Sequence, residues 1–392
     1  MLVELKKRLE DLQTEMVELR RDFHMHPEVS HEEKRTPEKV AAYLSELGID
    51  VKTGVGGRGV VGYLTGGRPG KTIALRADFD ALPMQDEKDV SYKSKVEGVT
   101  HACGHDVHTA ALLGAAKVLS EKREELAGTV VFIHQFAEEV SPGGAEAMIA
   151  DGCLEGVDAI YGAHVWSEND VGEILFQSGY TMAAADTFHI NVQGKGGHGA
   201  LPHLTIDPVV AASQLVVNLQ QIPSRRVDPL KAIVLTVGSF HSGKAANVIP
   251  DSAIIEGTVR TFDETVRKDA EKMITSTAQA LEMQTGASVE VTYHFGHPAV
   301  YNHPKESDSL KQMTEKHLPS FHVKEMKPFM GAEDFSYYLK ERPGTFFFVG
   351  GRNEDLHANF PHHHPKFDVD EEALGTIGKV FLLTLKDQDV ID

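Results

Sequence analysis

Through MLVELKKRLEDLQTEMVELRRDF, charged and apolar residues alternate at helical spacing, which predicts an amphipathic opening helix. Thr36 and Pro37 precede EKVAAYLSEL and Gly48, a second helix with proline in its first turn and glycine past its end. VVGYL and KTIALRAD then read as strands separated by the turn-rich GGRPG. A helix from about 106 to 120, the apolar strand GTVVFIHQF, a short helix near 143–150 and the strand VDAIYGAHV follow. Such alternation predicts an α/β fold with a mixed, largely parallel sheet and helices on both faces. Ligands of such sheets gather beyond the carboxyl ends of the strands. Three of these strands end in polar residues: RADFD, AEE and HVW.

The pattern changes near 183. DTFHINVQGKGG, a helix over about 207–221, AIVLTVGSF, SAIIEGTVRTF, a long helix at 263–285 and ASVEVTYHF follow in close order. Strand, helix, strand, strand, helix, strand is the split βαβ arrangement of a small α+β unit. Helical and strand segments resume after it. The expectation is a discontinuous main domain, 1–182 and 297–392, interrupted by an inserted domain, 183–296.

The 392 residues, 41% apolar and 25% charged, can bury a sizeable core. Against 58 acidic residues stand 39 Lys and Arg, a net charge of −19, which argues against a nucleic-acid or anionic-membrane partner. No apolar run approaches the ~20 residues of a membrane span. The N-terminus lacks the unbroken apolar core of a secretory signal, so a cytoplasmic setting is expected. Two cysteines exclude a disulfide scaffold. Histidine is the surplus, at 21, with clusters over 101–108 and 357–364.

THACGHDVHTAA brings Cys103, His105 and His108 within six residues. A thiolate and an imidazole two apart, with glycine between, suit a metal at a strand-to-helix junction. A buried cysteine acting as a small apolar residue is the competing reading. His108, one turn along, either shares that face or caps a network. Glu138 and Glu139 end an apolar strand, and consecutive residues of an extended chain point to opposite sides. One carboxylate could therefore take metal while the other faces a bound water. His164 ends the next strand, and His362, His363 and His364 precede Pro365. These ligands suffice for two ions about 3.5–4 Å apart, which lower the pKa of a bridging water and polarise a carbonyl. An unligated glutamate beside them suits a general base. Read from residues alone, the chemistry is metal-assisted hydrolysis.

In order along the chain, ADFDALPM, HACGHD, FAEE, HVW, GKGGHGALPH, NVIPD, GTVRTF, GAEDF and HHHPKF resemble one family. It is the amidohydrolase subfamily of the aminoacylase/carboxypeptidase-G-like dinuclear metallopeptidases, which includes hippurate hydrolase, N-acetyldiaminopimelate deacetylase and the auxin-conjugate hydrolases. The resemblance runs from RRDFHMHPE to HHHPKFDVDEEAL, nearly the whole chain. It implies a zinc-peptidase-like main domain with a ferredoxin-like lid or dimerisation domain inserted. It implies cleavage of N-acyl amino acids, of N-acetyl or N-benzoyl type, by a metal-activated water. Two divalent ions per subunit would be bound, manganese or zinc first, with nickel or cobalt as alternatives.

By the same resemblance the ligands are Cys103, His105, Glu139, His164 and His363. Glu138 matches the catalytic glutamate, and Asp80 the aspartate that orients a metal-binding histidine. His198 matches a histidine that stabilises the tetrahedral oxyanion, sometimes across a dimer. Asn247, Arg260 and Gly331 match substrate-binding positions, Arg260 being suited to a carboxylate by its planar fork. A homodimer or higher homo-oligomer through the lid is implied. Most members read PAEE where this chain has Phe136, a change expected to alter packing rather than chemistry.

Three other readings compete. Gly54, Gly56 and Gly59 spell G-x-G-x-x-G, but a strand follows instead of the helix a dinucleotide needs. A dipeptidase or carboxypeptidase could use the same scaffold. A non-catalytic metal-binding relative would be expected to have lost Glu138.

Overall fold

The computed structural model describes residues 1–392. They form two units: Met1–Thr181 with Tyr301–Lys327 and Asp334–Asp392, and Met182–Val300 with Pro328–Glu333. Pro328–Glu333, expected with the main domain, belong to the smaller unit, where Ala183 N–H donates to the Gly331 carbonyl at 2.8 Å.

The larger unit is an eight-stranded mixed sheet. At its centre Ala127–Gln135, Arg68–Asp78, Ala159–Asp170 and Gly344–Arg352 run side by side and parallel. On one flank Gly59–Thr65 and Asp50–Val55 add an antiparallel hairpin. The glycines of the G-x-G-x-x-G pattern lie in and beside its turn, so no helix follows them. On the other flank Glu173–Phe176 pairs antiparallel to Gly344–Arg352 and parallel to His322–Glu325.

Helices cover both faces, and the run Phe346-Phe347-Phe348 shows why it is apolar without alternation. Phe347 meets Phe381 of the helix Glu372–Asp387, while Phe346 stacks on Phe335 of the helix Phe335–Glu341. The helix His105–Ser120 is buried nearly throughout, which matches its apolar circumference. The opening helix is two, Leu2–Asp11 and Gln13–Met25, broken at Leu12.

In the smaller unit four antiparallel strands stand in the order Ile233–Ser242, Ser252–Thr261, Ala184–Gln193, Ser288–His294. The helices Pro208–Leu219 and Glu264–Thr285 pack on one face through Leu215, Ile255, Ile190 and Ile274, all fully buried. Both helices start on an aspartate that accepts two backbone N–H bonds, Asp207 and Asp263. This is the split βαβ order of the sequence reading.

Candidate metal centre

Three neighbouring parallel strands deliver acid, amide and imidazole to one level. Asp78 pairs with Gln135, and Arg76 pairs with Gly162, so two residues further on Asp78 lies level with His164. His164 does not end its strand, as its sequence suggested. The strand continues to Asp170 because Gly344–Arg352 keeps pairing with it. The histidine's position is set by the shorter neighbour, not by its own strand's end.

Cys103 and His105 reach this level from the start of the helix His105–Ser120. The segment before them is not a strand but an irregular stretch, residues 79–104, pinned by reciprocal bonds between Leu82 and Thr100 at 3.0 and 3.1 Å. Gly104, between the two ligand candidates, has φ +100 and a Cβ there would lie 2.3 Å from Val165 Cγ1. Any other residue would be both strained and excluded.

The imidazoles are aimed by their inner nitrogens. His105 Nδ1 bonds the Asp80 carbonyl at 3.0 Å and its carboxylate at 3.2 Å, leaving Nε2 free. His164 Nδ1–H donates to the Val165 carbonyl at 2.6 Å, and its Nε2 faces Cys103 Sγ at 3.4 Å. Asp80 Oδ2 in turn accepts from Ser30 Oγ and from Glu139 N–H. His108 is different. Its Nδ1 bonds Asp78 at 2.7 Å and its Nε2 accepts from Val165 N–H at 2.9 Å. Both nitrogens are committed, so it caps a network and offers no lone pair to a metal.

Glu138 and Glu139 do not face opposite ways. The strand stops at Gln135, and Ala137 turns the chain at φ +50, its N–H held by Glu33 at 2.9 Å. After that turn both carboxylates come within 3.8 Å of His105 Nε2. Alternation applies only while the chain stays extended. His363 Nε2 lies 3.4 Å from Glu139 Oε2. Its backbone, at φ +61, is anchored by an N–H bond to the Ala102 carbonyl at 2.8 Å. A left-handed non-glycine residue at such a place is strain held by its surroundings. His362 points elsewhere, its Nε2 accepting from Ser167 N–H at 3.2 Å.

Donor atoms of Cys103, His105 and His164 all lie within 4.8 Å of one another, as do those of Cys103, Glu139 and His363. A third such group is His105, Glu138 and Glu139. Burial and the carboxylates of Glu139, Glu138 and Asp78 push the Cys103 thiol well above its usual range. Burial opposes a charge on His105, yet Asp78, Asp80 and Glu139 hold its pKa at about 10. His105 Nε2 and Glu139 Oε1 are nonetheless buried without a hydrogen-bond partner. Such atoms in a native interior call for a missing partner.

Asp78, Arg76 and Gln135 were given no site role from the sequence. Burial would raise Asp78, but Arg76, His105 and His108 keep it well below the usual carboxylate range. Arg76 bonds Asp78 at 2.5 Å and Asp334 at 2.9 Å, and Gln135 bonds Asp334 at 2.8 Å. Only the acid in RADFD and the acids of GAEDF hinted at them.

The smaller unit carries the other candidates. His198 and Asn247 come together on the ribbon formed by Gly197–His198 and Val248–Ile249, where Gly199 N–H donates to the Asn247 carbonyl at 2.9 Å. Both are exposed, and His198 Nδ1 accepts only from Ala200 N–H. Arg260 is half-buried on the sheet, its pKa lowered by burial against the pull of Asp186. Gly331 sits against Phe329, whose ring a Cβ would meet at 2.5 Å.

The model of peptidase family M20/M25/M40 matches residues 74–387. The chain is 40% identical to the N-acetyl-L-cysteine deacetylase of Bacillus subtilis (strain 168), across 93% of this chain and 86% of that one. It is also 40% identical to thermostable carboxypeptidase 1 of Saccharolobus solfataricus, across 94% of each. Among solved structures it is similar to the YXEP protein of Bacillus subtilis, described as a dinuclear metal-binding peptidase. That match has a TM-score of 0.83 and 34% identity, over 97% of this chain and all of that one.

Proposed function

Because the chain belongs to peptidase family M20/M25/M40 and is a metal-dependent hydrolase of amide bonds, we propose that it deacylates N-acyl amino acids with Glu138 as the proton carrier. The observation that carries this reading is the pair of buried, unsatisfied atoms, His105 Nε2 and Glu139 Oε1, among thiol, imidazole and carboxylate groups. A cation answers both, and it also favours the thiolate that the surrounding acids disfavour. Cys103, His105 and His164 would hold one ion. Cys103, Glu139 and His363 would hold a second. The mixed set of sulfur, nitrogen and oxygen donors suits zinc or manganese, and accommodates cobalt or nickel.

Such ions, when bound, acidify water and polarise a carbonyl. Glu138 belongs to neither ligand triplet that contains Cys103, and the reading makes its carboxylate, 3.8 Å from His105 Nε2, the group that moves protons. It takes the proton of the attacking water and passes it to the leaving amine. Asp80 keeps the His105 ring oriented with Nε2 outward. From the smaller unit, the reading assigns His198 to the developing oxyanion, within or across subunits. Arg260 is assigned to the substrate carboxylate, with Asn247 and Gly331 as further substrate contacts. A homodimer or higher homo-oligomer through the smaller unit belongs to the same reading; its sheet leaves both edge strands, Ile233–Ser242 and Ser288–His294, paired on one side only.

The deciding experiment is a hydrolysis screen of N-acetyl, N-benzoyl and longer N-acyl amino acids beside dipeptides, on metal-stripped protein with each metal restored. Release of an amino acid from N-acyl substrates above all dipeptides supports deacylation. Preferential dipeptide cleavage overturns it in favour of a peptidase. Elemental analysis of Cys103→Ala tests Cys103 as a ligand, a role that an unchanged metal content would remove.

A further inference from the structure

His363 lies on residues 361–371, a stretch with neither helix nor strand. Its geometry must therefore come from contacts outside the backbone ladder. Besides the His363 N–H bond to the Ala102 carbonyl, one source is a group of buried charges from distant parts of the chain. Arg20, on the helix Gln13–Met25, has a fully buried side chain. Its Nε donates to Asp106 at 2.8 Å and its Nη2 to Asp368 at 2.6 Å. Asp106 is the residue after His105, and Asp368 lies five after His363. One guanidinium thus ties the start of the ligand-bearing helix to the irregular segment.

Lys88 works in parallel. It donates to the Phe367 carbonyl at 2.9 Å and to His24 Nε2 at 2.8 Å, and His24 Nδ1–H bonds Asp106 at 2.7 Å. Tyr92 completes the set by donating to Asp368 Oδ2 at 2.8 Å. The Arg20 and Lys88 routes both run between the neighbour of His105 and the residues that follow the histidine triplet.

We propose that Arg20 is a positioning residue that sets the affinity of the second ion, by holding His363 in place against Glu139. This rests on the ligand assignment made above. The planar fork reaches three carboxylates, those of Asp106 and Asp368 and, through Nη1 at 3.2 Å, that of Glu371, which an ammonium at the same place cannot do. Arg20→Lys keeps the charge but cannot hold all three carboxylates at once.

The test uses the full-length protein dialysed to equilibrium against graded manganese(II), with bound metal counted by elemental analysis. Unfolding of the metal-stripped form is followed beside it. Arg20→Lys is expected to weaken one of two ions by about 10-fold or more, as loss of an outer partner does, while the other stays near its wild-type affinity. Unchanged binding of both ions, or an equal loss of both, overturns the proposal, since a merely structural role would not choose between them. His363→Ala separates the two layers of the argument. If it binds both ions normally, the ligand assignment has failed; if it loses one while Arg20→Lys keeps both, only the role of Arg20 has. Should Arg20→Lys not fold, Tyr92→Phe removes a single bond from Asp368. The same selective weakening, smaller in size, is then expected, and wild-type binding in that variant overturns the proposal.

Discussion

In the larger unit, polar groups from the whole length of the chain gather in one buried place, and few are satisfied by their own strand or helix. In the smaller unit, the candidates stand on or near the surface of a self-sufficient α+β sheet. Its one deep charge cluster is structural: Arg267 bonds Asp186, which also accepts from Tyr293 OH and Gly296 N–H. His198 and Asn247 are exposed, and Arg260 is half-buried. In the proposed assignment the larger unit's groups are mostly desolvated, His363 being the exposed one, while the smaller unit's candidates keep hydrogen bonds to give. Burial strengthens the electrostatics of the first set, and exposure keeps the second set available.

The sharpest way to break this contrast is Glu138→Gln. Loss of a general base costs about 10²–10⁴-fold in kcat. Metal content should stay at the wild-type level, and normal turnover would remove Glu138 from the reaction.

Arg267→Met in the smaller unit should act on stability instead. Breaking a buried ion pair costs about 3–5 kcal/mol, read as a lowered unfolding temperature. Metal content should not change, since neither Arg267 nor Asp186 belongs to a donor cluster described for the larger unit. Loss of metal together with stability would mean the two regions are not independent.

A third test uses pH. Burial, with Asp80 nearby, pushes Glu33 up to about 7, while its bond from Ala137 N–H pulls the other way. The folded state then binds the Glu33 proton more tightly than the unfolded chain, so this carboxyl costs stability as pH rises from about 4.5 through 7. Glu33→Gln removes that cost. Relative to wild type it should gain up to about 3 kcal/mol between pH 4.5 and pH 8. An equal stability difference at the two pH values would count against a raised Glu33.

The smallest effect is expected at Arg260. If it holds a substrate carboxylate, wild type should discriminate against amidated substrate by about 1.5–3 kcal/mol in kcat/KM, the worth of a charge-assisted bond. Arg260→Ala should lose most of that discrimination. Equal discrimination in both proteins would take Arg260 out of substrate binding.

The comparison also separates what was legible in the chain. Apolar periodicity was enough for most strands and helices up to about residue 296, because those patterns repeat over neighbouring residues; it missed the strand Asp50–Val55 and the break at Leu12. The motifs HACGHD, FAEE and HHHPKF marked where donors would come from. Spacing misled where it assumed regular backbone: Glu138 and Glu139 converge because Ala137 leaves the extended region. For His108, one helical turn from His105, the spacing left open whether it shares the metal-facing side or caps a network, and Asp78 and Val165, which take both of its nitrogens, decide for the network.

By itself, then, the sequence determined the order of elements, the split βαβ insertion and the donor-rich motifs, since each is a local property of adjacent residues. Tertiary structure alone decided which donors meet and which are already spent. It also decided which supports sit behind them, such as Arg20 between Asp106 and Asp368, or Arg76 between Asp78 and Asp334. The physical reason is distance along the chain. Asp106 and Asp368 share a guanidinium although more than 250 positions separate them, and no local pattern records such a pairing; only the folded sheet and its packed helices bring the three groups within hydrogen-bonding reach.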